Sequence, residues 1–223
     1  QTYNADFNTK EKIFVPENDY ISGKGFQRYL SSIKNFSLPI WNEIRKSIEE
    51  YDPSVIGLSA KTQNFISASI VAKIAKEINP DIKVIIGGVH PTMNGPKVLD
   101  CKDIDFLSIG EGEKTIVELL LALEKNKELN SVRGIIFREN GKIISTKPQS
   151  YVENLDSLDF PLTHAQKVLK DFDKYPKEAF GYIFGSRGCP YACTFCESKS
   201  MWTRKVRYRS PENIVAELKQ LYD

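Results

Sequence analysis

The chain has 223 residues, 41% of them hydrophobic and 27% charged, which is typical of a globular protein with one large domain or more. Lys and Arg number 31 against 29 for Asp and Glu, so the net charge of +2 argues against a general nucleic-acid-binding surface. No apolar run approaches the roughly 20 residues of a membrane span, and the N-terminus lacks the basic, apolar and small-residue zones of a signal peptide. The few cysteines are clustered, which does not suit a secreted disulfide framework. We therefore expect a cytoplasmic protein without a membrane span or a nucleic-acid partner.

Helices and strands are predicted to alternate through the first part of the chain. A helix is expected over 41–51, because Trp41, Ile44 and Ile48 recur at helical spacing before Asp52-Pro53 ends it. The same reasoning predicts strands over 54–60, 82–88 and 104–110, helices over 65–78 and 112–125, and a short helical turn near 96–99. Apolar strands joined by helices indicate a doubly wound α/β domain with a parallel sheet.

The second part of the chain lacks the regular alternation of helices and strands. Asn140-Gly141 lies between the short apolar strands 132–139 and 142–148 and predicts a hairpin. Residues 149–178 lack sustained periodicity and are interpreted as a linker. A strand of alternating aromatic residues is expected over 179–188. The segment 203–209 is interpreted as a solvated basic loop. Ser210 and Pro211 are the predicted N-cap and first residue of a final helix with an apolar stripe of Ile214, Val215, Leu218 and Leu221.

Three of the four cysteines lie close together between the predicted strand and the final helix. Cys189, Cys193 and Cys196 have the spacing C-x3-C-x2-C. Four thiolates close an ordinary structural zinc site, whereas three suit a 4Fe–4S cluster that leaves one iron open to another ligand. The alternative is a zinc site or another inert thiol cluster, completed by His164 or Cys101.

The cysteine spacing, with Phe195 directly before the third cysteine, resembles the signature of the radical S-adenosylmethionine superfamily. The resemblance implies that Cys189, Cys193 and Cys196 bind the cluster and that Phe195 lies against the adenine of S-adenosylmethionine. It also implies reductive cleavage of that cofactor, with an electron donor such as flavodoxin or ferredoxin as partner. The position of the loop implies the first β/α unit of a partial (β/α) TIM barrel over 179–223.

The fragments upstream of the loop resemble the cobalamin-binding branch of that superfamily. "SVIGLSA", "KVIIGGVHPT" and "DFLSIGEGEKTIVELL" occur in this order, followed by "NLDSLDFP" and the cysteine loop. The resemblance implies a Rossmann-like cobalamin-binding domain over 1–148, the linker over 149–178 and the truncated barrel over 179–223. It also implies cobalamin as a further cofactor.

Four residues at predicted strand ends are the candidate cobalamin site. In doubly wound sheets, ligands bind at the carboxyl ends of the strands. Ser59 offers a hydroxyl there, Gly87 and Gly88 allow a bulky ligand to approach the backbone, and Glu111 begins a helix. A structural interpretation stays open for each, because Gly87-Gly88 also suits a tight turn and Glu111 also suits a helix N-terminus.

The sequence departs from the family pattern in two places. The Asp-x-His-x-x-Gly motif that supplies a cobalt ligand is matched only by Asp6, because Asn8 and Glu11 stand in place of His and Gly. His90 is interpreted as part of a turn rather than a cobalt ligand. An initial strand and helix and most of the barrel are missing, so we expect the chain to be a fragment of a longer enzyme that is not catalytically complete.

Three functions are consistent with these patterns. The first is cobalamin-dependent radical chemistry on a small-molecule substrate, with methyl transfer to an unactivated carbon expected by resemblance and ring formation or rearrangement as variants. The second is a radical enzyme whose front domain does not bind cobalamin. The third is a non-enzymatic electron-transfer or metal-binding module. The sequence identifies no catalytic side chain, substrate or oligomeric state.

Overall fold

The computed structural model describes residues 38–175 and 177–222. In these residues the elements are α1 (Pro39–Tyr51), β1 (Val55–Ser59), α2 (Phe65–Ile78), β2 (Lys83–Gly87), α3 (Val89–Asn94), β3 (Phe106–Ser108), α4 (Gly112–Glu124), β4 (Ile135–Glu139), β5 (Lys142–Ser145), α5 (Pro161–Val168), β6 (Ser186–Arg187), α6 (Ser198–Met201), β7 (Arg207–Tyr208) and α7 (Pro211–Tyr222). Short 3-10 segments lie at Thr62–Asn64, Gly95–Asp100, Leu129–Ser131, Leu155–Ser157, Phe172–Lys174 and Lys177–Phe180.

These residues divide into two compact units. The first, here called the sheet unit, comprises the described residues up to 151 together with 189–204. The second unit comprises 152–188, apart from residue 176, and 205–222. The cysteine loop therefore belongs to the sheet unit, although it is separated from the rest of that unit by 37 positions of sequence between 151 and 189.

Helix α1 forms where the sequence predicts it. Pro39 stands in the first turn, where its fixed φ suits a helix, and Trp41, Ile44 and Ile48 are the buried residues of the helix. The helix ends at Tyr51 because Asp52 adopts a left-handed conformation with φ of 47°, after which Pro53 cannot continue the helical hydrogen bonding. The spacing of apolar residues thus determined both the bounds and the buried face.

The predicted α/β class with a parallel sheet is confirmed. The strand order is β1-β2-β3-β4-β5, with β1, β2 and β3 parallel and the β4–β5 hairpin added in antiparallel orientation. Strand β2 is apolar throughout its middle because Val84, Ile85 and Ile86 are all buried. One core cluster joins the sheet to α4 and comprises Ile85, Phe106, Leu119, Ala122, Val132, Ile135 and Phe137.

The hairpin is also confirmed, and its turn explains why the dipeptide predicted it. Asn140 and Gly141 have φ of 50° and 76°, the positive values that both central residues of a type I′ turn require. Glu139 and Lys142 are the paired residues that flank the turn. The twist of this turn matches that of the strands, so the register of the hairpin follows from two residues.

A partly buried ion pair fixes the amino edge of the sheet. Lys76, near the end of α2, places Nζ 2.7 Å from Oδ2 of Asp105 and donates to the carbonyl of Ile82 at 2.6 Å. The same Asp105 oxygen accepts from the Val84 amide at 2.7 Å. One side chain from the helix and one from the loop before β3 therefore hold the start of β2.

Helix α3 was not predicted. It begins directly after Gly88 and includes His90, which the sequence analysis assigned to a turn; that assignment is wrong. Pro91 stands within the first turn of the helix, where its missing amide proton is tolerated, so the residue that suggested a turn is compatible with a helix. The helical turn expected near 96–99 is present as the 3-10 segment Gly95–Asp100.

In the second unit, Arg209 links several elements. Its guanidinium donates to the carboxylate of Glu217 in α7, to Oδ1 of Asn213 at 2.6 Å and to the carbonyl of Phe184 at 3.1 Å. The guanidinium carbon of Arg209 also lies 5.4 Å from the centre of the Phe160 ring, a cation–π contact. The basic segment 203–209, predicted to be a solvated loop, is only partly solvated, because Arg207 is buried and Arg209 binds carbonyl and carboxylate groups.

The final helix confirms one prediction and qualifies another. Ser210 caps α7, since its Oγ accepts from the amide of Asn213 at 3.1 Å. The apolar stripe is only partly covered, because Ile214 and Leu221 are half-buried, Val215 and Leu218 are 48% and 40% exposed, and Glu217 is buried. Burial of Glu217 follows from its ion pair with Arg209, a contact that spacing of apolar residues cannot reveal.

The strand expected over 179–188 is much shorter in the structure. Only Ser186 and Arg187 are paired, with Tyr208 and Arg207 of β7 respectively. Tyr182 and Phe184 are 77% and 70% exposed. A strand is defined by its partner, and among the described residues β7 provides one for two positions only.

Within the described ranges, no helix combines the length and apolar character that crossing a membrane requires.

Candidate functional site

The carboxyl ends of β1 and β2 bring two of the candidate residues together. Ser59 and Gly87 are partners in the parallel register and close their strands at the same level. The Ala60 amide then donates to the Gly87 carbonyl at 2.9 Å, and the His90 amide donates to the Ala60 carbonyl at 2.9 Å. Main-chain hydrogen bonds therefore continue beyond the strands and fix the two loops against each other.

Gly88 is required by this close approach. Its φ is +98°, and a Cβ placed there would lie 2.9 Å from the carbonyl oxygen of Ala60 and 3.3 Å from Oγ of Ser59. Side chains rarely adopt this φ, and the obstructing atoms include rigid backbone. The tight-turn interpretation is therefore supported at Gly88. A ligand role for Gly87 and Gly88 stays a prediction.

The end of β3 carries a hydroxyl group that the protein itself does not satisfy. Ser108 is 2% exposed, and its Oγ has no hydrogen-bond partner within the described part of the chain. A Cβ at Gly87 would lie 3.5 Å from the Ser108 Cβ, so the two residues meet across the neighbouring strands. A buried hydroxyl without a hydrogen-bond partner is uncommon in folded proteins, and this one lies beside a glycine of the neighbouring strand.

Glu111 lies at the N-cap of α4 and is 6% exposed. A carboxylate at this position interacts favourably with the helix dipole. It also lines a pocket of about 270 Å³ within the sheet unit, together with Gly110, Tyr151 and Ser200. The pocket thus extends from the third strand end to α6, the helix that follows the cysteine loop.

Sequence reasoning missed Thr92 in α3. Its Oγ1 donates to the carbonyl of Gly88 at 2.8 Å and accepts from the amide of Gly110 at 3.0 Å. The threonine therefore connects the loops after β2 and β3. No local signal identifies it, because the bond to Gly110 joins positions 18 residues apart.

His90 is placed beside the candidate residues but has structural partners. Its ring stacks on Phe65 with centroids 4.1 Å apart. Its Nδ1 lies 3.1 Å from Oγ1 of Thr62 and 3.3 Å from Nδ2 of Asn94. Burial lowers the pKa of His90 below its usual value and favours the neutral ring.

The cysteine loop is held by main-chain contacts within the sheet unit. The Cys189 amide donates to the Thr203 carbonyl at 3.3 Å, and the Cys196 amide donates to the Cys193 carbonyl at 3.2 Å. Arg204 donates to the carbonyl of Tyr191 at 2.6 Å. These bonds bring the two ends of the loop together, and α6, which follows the loop, packs against α3.

The three thiols have the chemistry of a cluster ligand set. All three are free, and the hydrogen bond between Cys196 Sγ and Ser198 Oγ, 3.3 Å apart, lowers the pKa of the Cys196 thiol. A lowered pKa favours the thiolate, which is the form that binds metal. The geometry is less complete, because among residues 38–175 and 177–222 no group of three or more His, Cys, Asp or Glu side chains is arranged to hold a metal ion.

The remaining candidate residues each have their own surroundings. Phe195 is 89% exposed and offers a free ring face. His164, proposed to complete a zinc site, lies in the second unit with Nε2 2.9 Å from Oδ2 of Asp159. The carbonyl of Cys101 accepts from Arg138 at 3.0 Å. The motif at Asp6, Asn8 and Glu11 lies outside the described residues.

Comparison with known proteins finds a family match in front of the cysteine loop. Residues 24–120 match the family model described as the B12 binding domain. The chain is 36% identical over 185 residues to an uncharacterized methyltransferase of Pyrococcus horikoshii, covering 82% of this chain and 39% of that protein. It is 32% identical over 187 residues to the anaerobic magnesium-protoporphyrin IX monomethyl ester cyclase of Rubrivivax gelatinosus, covering 81% and 33%.

A solved structure supports the same assignment. The cobalamin-dependent S-adenosylmethionine radical enzyme OxsB, with aqua-cobalamin and S-adenosylmethionine bound, superposes with a TM-score of 0.63 at 25% identity. The match covers 81% of this chain and 25% of that structure. The chain thus spans well under half the length of the relatives it matches.

Proposed function

Because the chain belongs to the radical S-adenosylmethionine proteins that carry a cobalamin-binding domain, we propose that the whole protein is a cobalamin-dependent methyltransferase that acts on an unactivated carbon of a small molecule. The observation that carries this proposal is the shared position of two features within the sheet unit. Helix α3, which begins after Gly88, packs against α6, which follows Cys196. The candidate cobalamin edge and the cysteine loop are therefore neighbours.

In this proposal Ser59, Gly87, Gly88 and Glu111 hold cobalamin, and Cys189, Cys193 and Cys196 hold a 4Fe–4S cluster. When bound, cobalamin supplies the methyl group, and the cluster with S-adenosylmethionine supplies radical chemistry. A flavodoxin or ferredoxin is the proposed electron donor.

The residues of the chain bind and orient these groups. Gly88 lets the loop after β2 lie against the end of β1, because any side chain there would contact Ala60. The exposed ring of Phe195 offers a flat face for stacking against adenine. Arg204 holds the loop at Tyr191, five positions before Cys196. The protein thus contributes position and access, while the cofactors carry the chemistry.

Ring formation is the second candidate reaction. One observation favours it, because the similarity to the cyclase of Rubrivivax gelatinosus extends over 81% of this chain at 32% identity. Methyl transfer is preferred because a relative of higher identity is named as a methyltransferase. The two reactions differ in product mass, so incubation with candidate substrates and mass spectrometry distinguishes them.

The cofactor assignment is tested on the full-length parent protein, purified without oxygen and supplied with iron, sulfide and hydroxocobalamin. After desalting, we expect corrin absorption together with a thiolate–iron band. A cluster band without corrin bands would reject cobalamin binding and leave a radical enzyme with another front-domain role. Zinc without iron or sulfide would indicate a structural metal-binding module instead.

A further inference from the structure

Thr92 lies in α3 and contacts the residues that follow two neighbouring strands, Gly88 after β2 and Gly110 after β3. Its hydroxyl donates to the Gly88 carbonyl at 2.8 Å, and its own amide approaches the same carbonyl at 3.3 Å. The hydroxyl oxygen also accepts from the Gly110 amide at 3.0 Å. A single side-chain oxygen thus acts as donor to one loop and acceptor from the other.

Both loops carry residues of the candidate cobalamin site. Gly88 follows β2, and Gly110 directly precedes Glu111 at the start of α4. Gly110 has φ of +77°, and a Cβ there would meet nothing within 4 Å, so packing around its α-carbon does not determine its position. A hydrogen bond to the amide is therefore an important constraint on the loop that leads to Glu111.

We propose that Thr92 is a positioning residue of the cofactor site, which fixes the separation of the Gly88 loop and the Gly110–Glu111 loop before the cofactor binds. This inference rests on the proposed function. A ligand that contacts both loops must order them if they are mobile, and that ordering opposes binding. The hydroxyl of Thr92 removes this cost by holding the loops in the unliganded protein.

The chain offers an isosteric test with matched controls. Thr92→Val keeps the shape and removes both hydrogen bonds, whereas Thr92→Ser keeps a hydroxyl. Thr115→Val makes the same chemical change at a buried threonine whose Oγ1 has no hydrogen-bond partner within the described residues. Because no hydrogen bond is lost at Thr115, that variant reports the general effect of replacing threonine by valine.

Two measurements are made on each full-length variant. The first is hydrogen exchange of the Gly110 amide without cobalamin, followed by mass spectrometry with fragmentation to single residues. The second is the dissociation constant of hydroxocobalamin from absorption titrations. We expect Thr92→Val to exchange the Gly110 amide about tenfold faster and to bind cobalamin about five- to tenfold more weakly, in line with the loss of one or two hydrogen bonds.

Thr92→Ser and Thr115→Val should both remain within a factor of about two of the wild type. Unchanged exchange and affinity in Thr92→Val would overturn the inference, as would an equal loss of affinity in Thr115→Val. If the wild-type protein binds no cobalamin, the proposed function fails, and with it the cofactor role of Thr92. The exchange data then still show whether its hydroxyl holds the Gly110 loop, so the two failures are distinguishable.

Discussion

Single residues at the ends of β1, β2 and β3 determine what the sheet edge can accommodate. Gly88 excludes a side chain because Ala60 lies too close, and Ser108 leaves a buried hydroxyl unsatisfied within the described residues. Ser59 and Gly87 are partners in register. The sequence identified Ser59, Gly87 and Gly88 because they occupy the last two positions of predicted strands, whereas Ser108 lies earlier in the predicted strand 104–110 and was overlooked.

The first prediction concerns the space around Gly88. Gly88→Ala should lower the free energy of unfolding by about 2–3 kcal/mol, because the new methyl group adds a clash with Ala60 to the cost of a positive φ. Gly95→Ala is the matched control, since φ is +55° there but nothing lies within 4 Å of the added carbon. Its loss by urea unfolding should be smaller by about 1 kcal/mol, because only the cost of the backbone conformation remains there. Equal losses in the two variants would contradict the role of the contact.

The second prediction concerns the pH dependence of stability through His90. Burial lowers the pKa of His90 in the folded protein below its value of 6.5 in the unfolded chain, so the unfolded chain binds the proton more readily. The contribution of neutral His90 to the free energy of unfolding is complete above about pH 6.5. It is lost as the pH falls from there towards the pKa of His90 in the folded protein. Melting temperatures from pH 8 to 5 should fall less steeply for His90→Asn than for the wild type. If the melting temperature of His90→Asn fell with pH as steeply as that of the wild type, this role of His90 would be contradicted.

At the scale of elements, short-range patterns and long-range contacts contribute differently. The bounds of α1, α2 and α4, the hairpin turn and the cap of α7 follow from apolar spacing and from local residues such as Asn140 and Ser210. The short length of β6 and the exposed face of α7 do not follow from such local patterns, because strand pairing and burial depend on partners that are distant in sequence.

The third prediction tests the ion pair between α2 and the sheet. Lys76→Met should lower the free energy of unfolding by about 1–3 kcal/mol, because the Asp105 carboxylate would remain partly buried without its cation. Lys73→Met is the control in the same helix, since Lys73 forms an exposed pair with Glu77 at 4.0 Å. Its effect by urea unfolding should be below about 0.5 kcal/mol. An effect of Lys76→Met as small as that of the control would show that the pair contributes little.

At the scale of the whole molecule, the cysteine loop is part of the same compact unit as the sheet. Sequence reasoning assigned the loop to a separate barrel domain beginning at residue 179, and that assignment stays a prediction. The packing of α3 against α6 explains how a loop distant in sequence lies near the strand ends. Cluster and cobalamin are thus proposed to occupy adjacent positions.

The fourth prediction concerns the thiols. Cys196→Ser in the full-length protein should reduce bound iron and sulfide after anaerobic reconstitution to a small fraction of the wild-type content, because a serine hydroxyl is a poor ligand for the cluster. Cys101→Ser is the matched control, since Cys101 is outside the C-x3-C-x2-C motif. It should retain the wild-type content in colorimetric assays of iron and sulfide. Loss of iron in the Cys101 variant as well would contradict the three-cysteine assignment.

The sequence by itself determined the α/β class, most element positions and the residues offered for cofactors, because these depend on apolar periodicity, turn chemistry and cysteine spacing within short windows. Only the tertiary structure showed that Thr92 connects the Gly88 and Gly110 loops and that α3 meets α6. It also showed that Arg209 holds Glu217 within the second unit. Each of these depends on atoms brought together by folding, and a hydrogen bond between distant positions leaves no periodic signal in the chain.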